Sequence, residues 1–510
     1  MTYQGGADSA PTDSGKKADS DPNRVHERAK MRRKAAGLAI AAAVGGFLFG
    51  FDSSVINGAV DSIGKHFALT AFVQGFVVAV ALLGCAVGAY FAGRLADRFG
   101  RLKVMMLGAI LFLVSSIGSG FAFAAWDLSI WRVVGGFGIG IASVVAPAYI
   151  AEISPRQIRG SLASLQQLAI TIGIFAALLS DALLAGVAGS NPLNQIWFGL
   201  EAWRWMFLVG VIPSVVYGVI ALTIPESPRY LLTNGQEDKA RAVFARLVPP
   251  EDLDRQISDI ENAIKVDKEG TKGSLRGNRF GLKPIVWIGI ILSIFQQFVG
   301  INVIFYYSTT LWQAVGFTTA DSFLISVITS ITNVVVTVIA ILLVDRIGRK
   351  PILLTGSIGM TVSLATMAIA FAFSVKNAHG VVSLPGAWGP IALVAANLFV
   401  VCFGASWGPL VWVLLGEIFP SKIRGKALGV AAAAQWLANF VVTVSFPAMA
   451  DFSLWITYGI YALFAALSFV FVVYKIPETR GMALEEAETT FTNARKSRGP
   501  SVTAQGNSVG

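Results

Sequence analysis

Asp52 and Arg132 each stand inside a long apolar run. If those runs cross a bilayer, Asp52 lies about 16 residues along its span, roughly 24 Å up at ~1.5 Å per residue. Arg132, about four residues into its run from the other side, lies at a similar depth. A charge in lipid is expensive and persists for a reason. A carboxyl beside a guanidinium has two states, ionised and paired or protonated and released. An aspartate that alternates between them can carry a proton. The other reading is a static ion pair that only joins two helices.

A second group is uncharged. Gln296, Gln297, Gly300, Asn302, Tyr306 and Tyr307 form a polar island in an apolar run, and Gln167, Asn333, Gln435 and Asn439 are amides in other runs. A glycine there can break a helix and free backbone groups, which is tolerated in lipid only where a cavity is lined. Amides offer donors and acceptors together, which suits hydroxyl groups. Trp407, Trp412 and Trp436 add flat apolar faces. A sugar has hydroxyls on its rim and C–H groups on its faces, so amides with aromatics match it without a fixed charge. Amides that merely join helices are the competing reading, and a lone tryptophan is more often packing or interfacial belt.

A third group is repeated. EISPRQIRG (Glu152–Gly160) returns as EIFPSKIRG (Glu417–Gly425), and DRFGR (Asp97–Arg101) returns as DRIGR (Asp345–Arg349). The repeats put Glu152, Arg159, Glu417 and Arg424 at the inner ends of spans, with Arg98, Arg101, Arg346 and Arg349 beside them. Glu226 and Arg229 in PESPRYL join this set. Such carboxylate–arginine clusters across two halves could hold an inner mouth shut and break when it opens. Charge that only sets topology fits scattered basic residues less well than duplicated Glu–Arg pairs.

The elements that must position these groups follow from composition. The 510 residues are 55% hydrophobic and 14% charged, against roughly 25% charged for a soluble domain. That excess of apolar surface needs a bilayer. Twelve apolar segments, each long enough for ~30 Å of hydrocarbon, fall into two sets of six. Residues 1–34 read as a disordered tail, 35–224 as the first six-helix half, 225–283 as a linker, 284–475 as the second half, and 476–510 as a tail. In the linker, Glu237–Leu247 and Glu251–Glu269 carry apolar residues at helical spacing among charges and predict short amphipathic helices. Two homologous halves, each threading a membrane, mark a transporter built from repeats.

The net charge of +10 is explained by topology. With the N-terminus inside, only Lys65 and Lys376 fall in outer loops, and Arg132 and Arg204 within or at the outer end of spans; the other basic residues fall on the inner side. That bias places both termini in the cytoplasm and argues against nucleic acid as a partner. Cys85 and Cys402 both lie in apolar runs and imply no disulfide framework. No P-loop, hydrolytic triad or metal-ligand cluster is present in the sequence, so an enzyme, a cofactor and a metal are not expected.

With these residues in place, the chain resembles the sugar porter family of the major facilitator superfamily over about residues 36–485. The resemblance rests on GGFLFGFDSSVINGA (Gly45–Ala59), GRLADRFGR (Gly93–Arg101), WRVVGGFGIG from Trp131, PAYIAEISPRQIRG (Pro147–Gly160) and PESPRYL (Pro225–Leu231). QQFVGINVIFYY (Gln296–Tyr307), DRIGRKP, WGPLVWVLLGEIFPSKIRG (Trp407–Gly425) and PETRG (Pro477–Gly481) complete it. It implies an all-α polytopic protein of twelve helices in two pseudo-symmetric halves around a central sugar site. It implies sugar contacts from Gln167, Gln296, Gln297, Asn302, Asn333, Trp407, Gln435 and Trp436, with Phe49 and Tyr306 nearby. Asp52 matches the position that is acidic in the family's proton symporters. Ile174 resembles the hexose-type members, where xylose-type ones carry Gln. Phe51, where Tyr is usual, and Ser53–Ser54 are mild departures.

The expectation is therefore a monomeric, multi-pass transporter of the cell membrane, coupling a monosaccharide, glucose in preference, to protons by alternating access. A passive facilitator, a carrier of xylose, galactose or myo-inositol, and a sugar sensor without transport are the alternatives.

Overall fold

The computed structural model describes residues 22–153, 159–269, 274–277, 281–376, 382–419 and 423–478. Among them twelve helices are long and apolar enough to cross a membrane. The first half comprises α1 (Pro22–His66), α2 (Ala71–Phe99), α3 (Arg101–Gly120), α4 (Ala125–Ile153), α5 (Arg159–Val187) and a sixth span of α6 (Ala202–Leu208) and α7 (Val211–Thr223). Short helices α8 (Pro228–Thr233), α9 (Glu237–Phe244) and α10 (Pro250–Glu269) follow in the linker. The second half holds α11 (Pro284–Phe298), α12 (Ile301–Tyr306), α13 (Ser308–Ala314), α14 (Thr319–Ile347), α15 (Arg349–Ala372), α16 (Trp388–Gly404), α17 (Trp407–Ile418), α18 (Arg424–Phe452) and α19 (Leu454–Lys475). A two-stranded ribbon, β1 (Val375–Lys376) with β2 (Val382–Ser383), lies between α15 and α16. An even number of crossings puts the start of α1, the linker and the end of α19 on one side, called here the terminal face; the other is the far face.

One expectation is corrected. Residues 22–34, read as disordered from their polarity, continue α1 as helix. Arg, Lys, Ala and Glu are strong helix formers, and Pro22 suits a first helical position, so the apolar span propagates helix into its basic flank. The linker helices form where the apolar spacing predicts them. Arg241 ties α9 to α10, bonding Glu237 at 2.9 Å and Asp254 at 2.7 Å; these hydrogen bonds, that to Asp254 first, raise its proton affinity further.

Small residues set how closely the spans approach. A Cβ at Gly136 or Gly140 of α4 would lie 2.0 Å from the Ala81 carbonyl oxygen or 2.2 Å from that of Cys85. Reciprocally, one at Gly84 or Gly88 of α2 would meet the carbonyls of Val133 and Phe137 at 2.3 and 2.2 Å. The two helices therefore touch backbone to backbone, as helices in lipid do when no hydrophobic force holds them. This contact sets Arg132, on α4, at a fixed height beside α1.

The seventh span is broken, as its glycine predicts. Gly300 has φ +80°, the left-handed region open to glycine, and separates α11 from α12. The tenth span breaks between α16 and α17 at Ser406. Both breaks face the same polar island.

The repeated phrases build the same joint twice. Gly100 (φ +95°) and Gly348 (φ +104°) turn the chain into α3 and α15. The Glu226 carboxylate accepts the N–H groups of Arg101 (3.0 Å) and Leu102 (3.3 Å) at the start of α3. The Glu478 carboxylate accepts those of Arg349 and Lys350, both at 3.0 Å, at the start of α15. Each glutamate satisfies N–H groups that a helix start leaves without partners and complements its positive end.

Candidate functional site

Asp52 and Arg132 meet as expected. The Arg132 Nη1 donates to Asp52 Oδ1 at 3.0 Å and approaches the Asp52 carbonyl oxygen at 3.4 Å, and both residues are buried. The guanidinium lies 5.9 Å from the Phe207 ring centroid, and its Nε has no hydrogen-bond partner. A small cavity adjoins the pair. It is lined by Phe49, Asp52 and Ser53 of α1, by Val78, Ala81, Leu82 and Cys85 of α2, by Arg132 and Ile139 of α4, and by Tyr306 of α12. Tyr306 belongs to the second half, so the ion pair of the first half faces a residue of the other across one cavity.

The polar island forms a chain of amides. Asn302 Nδ2 donates to Gln297 Oε1, Gln297 Nε2 to Gln296 Oε1 at 3.3 Å, and Gln296 Nε2 to the carbonyls of Trp407 (3.0 Å) and Gly408 (3.2 Å). Both carbonyls belong to the first turn of α17, so the glutamine ties the seventh span to the point where the tenth span resumes. Trp407 is fully buried, and its indole N–H donates to Ser357 Oγ at 2.9 Å and to the Leu353 carbonyl at 3.3 Å. Its polar edge is engaged inside the second half, and its ring is covered in this arrangement. Trp412, by contrast, is exposed.

Trp436 of α18 packs edge-on against Phe49 of α1 at 5.2 Å, an aromatic contact between the halves. Asn333 is buried against Gly404, where a Cβ would lie 3.3 Å from Asn333 Oδ1. Gln435 is half-buried, and its Oε1 has no hydrogen-bond partner. Gln167 and Ile174 are half-buried on α5. The sequence-based site set leaves out Asn439. It donates to the Tyr306 hydroxyl at 3.5 Å and accepts from Thr443 at 3.0 Å. Its spacing, one helical turn beyond Gln435, is the signal that marks it.

The charges at the terminal face close within a half. Arg101 grips Glu152 with two hydrogen bonds, Nη2 to Oε1 at 2.7 Å and Nε to Oε2 at 2.9 Å, and reaches Asp97 at 3.2 Å. Ser227 Oγ donates to the same Glu152, and Glu226 caps α3. In the arrangement described, Arg101, Glu152 and Glu226 brace α2, α3, α4 and the linker of the first half. Arg98 is exposed with its guanidinium 5.2 Å from the Phe99 ring centroid. Arg229 lies on α8, and the Arg349 backbone N–H meets Glu478. The side chains of Arg159, Arg346, Glu417 and Arg424 lie outside the described residues.

The far face is where hydrogen bonds cross between halves. Asn57 of α1 accepts the Thr309 N–H at 3.1 Å through Oδ1, and the Asn57 carbonyl accepts the Thr309 hydroxyl at 2.7 Å. Asn57 Nδ2 also reaches Ser326 of α14 at 3.5 Å, and Thr310 donates to Asp61 at 2.9 Å. No group of three or more His, Cys, Asp or Glu side chains that could hold a metal occurs among the described residues.

A family model described as "Sugar (and other) transporter" matches residues 38–491. The chain is 53% identical over 446 residues to a glucose transport protein of Synechocystis sp. (strain ATCC 27184 / PCC 6803 / Kazusa), covering 87% of this chain and 95% of the relative. It is 36% identical over 488 residues to the D-xylose-proton symporter of Escherichia coli (strain K12), covering 89% and 95%. Among solved structures, a major facilitator proton:xylose symporter bound to 6-bromo-6-deoxy-D-glucose superposes with a TM-score of 0.74 at 35% identity, covering 90% of this chain and 100% of that one.

Proposed function

The chain belongs to the sugar (and other) transporter family, and on that premise we propose that it is a sugar:proton symporter of the cell membrane, with glucose as the favoured substrate. Both termini lie in the cytoplasm on this reading, so the far face is external and the terminal face internal. The observation that carries it is the buried Asp52–Arg132 pair opening onto a cavity that Tyr306 of the other half also lines. Protonation of Asp52 releases Arg132. A change of that kind, made where the two halves meet, biases which half-to-half arrangement is stable.

Sugar is held chiefly by the second half. The amide chain Asn302–Gln297–Gln296 fixes the direction of each donor and acceptor, Gln435 and Asn333 add further amides, and the Trp407 and Trp436 rings meet the apolar faces of the pyranose. Gln167 and Ile174 complete the site from α5. Ile174 offers no hydrogen bond at its position, which suits a hexose reading. The glucose assignment leans on the relative at 53% identity; the xylose-proton symporter at 36% keeps a pentose as the second reading. The chain works as a monomer, since one copy contains both the coupling pair and the sugar site.

The cycle is alternating access between two halves. The far face is zipped by Asn57, Thr309, Asp61 and Thr310, so the arrangement described is the one closed to the outside. A membrane potential of about 100 mV supplies about 2.3 kcal/mol per charge moved, close to fifty-fold accumulation. Uptake of labelled glucose into proteoliposomes, with and without a proton gradient, tests the assignment. Asp52→Asn is expected to lose uphill uptake and retain exchange; full accumulation by that variant would overturn the coupling role. Competition by unlabelled glucose, galactose, xylose and myo-inositol ranks the substrates.

A further inference from the structure

A carboxyl that the coupling reading does not use lies in α5. Asp181 is fully buried, one oxygen accepts the backbone N–H of Gly58 on α1 at 3.1 Å, and the other has no hydrogen-bond partner. The approach is built: a Cβ at position 58 would lie 2.8 Å from the Asp181 carboxyl, so only glycine admits it. Gly58 is six residues from Asp52 along α1, roughly 9 Å at ~1.5 Å per residue towards the far face.

The charged groups around it are engaged elsewhere. On α1, Asp52 pairs with Arg132, Asp61 takes the Thr310 hydroxyl, and Lys65, two turns beyond Gly58, acts on Asp61. On α4, Arg132 is the partner of Asp52, and Asp127 accepts the Phe123 N–H. On α6, Arg204 is held by Glu201 and by the carbonyls of Gly120 and Ala122, and Glu201 also meets His66. On α14, Ser322 and Ser326 offer only hydroxyls, and Asp321 is tied to Thr318 at the exposed helix start. None of these forms an ion pair with Asp181. A bare carboxylate so enclosed would be an uncompensated charge, whereas the neutral acid is tolerated.

The seam between the halves passes beside it. Asn57, the neighbour of Gly58, bonds Thr309 and Ser326 of the second half. On the transporter reading, opening the far face separates α13 and α14 from α1 and α5, and this is the step that would admit external water to the carboxyl. We propose that Asp181 is a second proton-binding group, which takes a proton from the external side before the far-face seam closes and returns it there when the seam opens. It makes closure depend on external pH without adding to the protons carried. The proposal rests on the transporter reading and on its orientation. The closed state binds one more proton than the open state, so closure is favoured at low external pH and weakens as pH rises.

The test is sugar counterflow in right-side-out membrane vesicles at varied external pH, which needs no proton-driven accumulation and so is decided even where the symport reading fails. For the wild type, the logarithm of the external half-saturation concentration rises with pH on the alkaline limb. Asp181→Asn, whose amide oxygen can still accept the Gly58 N–H, is expected to lower that slope by about one, a tenfold change per pH unit. Accumulation at a fixed gradient is expected to stay as in the wild type. Asp181→Ser, a second neutral variant, is expected to match it, and Asp61→Asn to keep the wild-type slope. An unchanged slope in both Asp181 variants overturns the proposal. Loss of accumulation in them, or transfer of the effect to Asp61→Asn, overturns it as well.

Discussion

At the scale of single residues, a side chain in this protein acts through what its polar atoms are already bonded to. Gln296 is an example: its amide nitrogen holds two carbonyls in the first turn of α17, just past the break in the tenth span. Gln296→Ala removes both hydrogen bonds to α17 and leaves the Gln297 amide N–H without its partner, at about 1–3 kcal/mol. A loss of sugar affinity of roughly five- to a hundredfold is expected, measured as the half-saturation concentration in exchange. Trp407→Phe keeps the ring and removes the donor to Ser357 and Leu353. It is expected to lower the melting temperature of the purified protein while leaving sugar selectivity in place, read from a competition panel. Arg132→Ala leaves Asp52 buried without its cation, a change that costs about 3–5 kcal/mol in comparable buried pairs. It is expected to remove proton-driven accumulation, measured by uptake against a gradient.

At the scale of elements, glycine positions decide which helices can meet. Gly136→Ala places a methyl against the Ala81 carbonyl, and overpacking of this sort costs about 1–3 kcal/mol. A lower melting temperature is expected, together with weaker transport because Arg132 rides on the same helix. Much of this level was legible in the sequence. Twelve apolar runs announce spans because the hydrocarbon core sets their length. Asp52 and Arg132 announce a pair because charges in lipid are scarce, and Gly300 announces a break because no other residue in that run takes its φ easily. The bonding of Gln296 was not legible, since its partners lie more than a hundred residues on, in the tenth span. Asp181 sits between Ser180 and Ala182 in a leucine-rich run, and nothing in its spacing shows that Gly58 will press against it. The helical extension of α1 was hidden because a basic flank has the composition of a disordered tail until a rigid span adjoins it.

At the scale of the whole molecule, function is a balance between two arrangements of the halves. The far-face bonds of Thr309 to Asn57 favour the arrangement described here. Thr309→Val removes the hydroxyl donor at a net cost of about 0.5–1.5 kcal/mol, shifting the balance about two- to tenfold towards the form open at the far face. Greater labelling of a cysteine placed in the mouth at that face is the expected result; unchanged labelling would show that this contact does not bias the equilibrium. Uptake by the wild type is expected to rise as external pH falls, if the coupling role proposed for Asp52 and the proposed orientation hold.

The matched caps, Glu226 on α3 and Glu478 on α15, carry a consequence for how the protein is assembled. Each six-helix bundle ends its own sequence with the residue that completes its own third helix, so neither borrows a part from the other to become finished. The covalent link between them is then a tether that keeps two self-sufficient pieces at equal dose. A gene split between α10 and α11 should yield two polypeptides that insert separately and recombine into a working carrier.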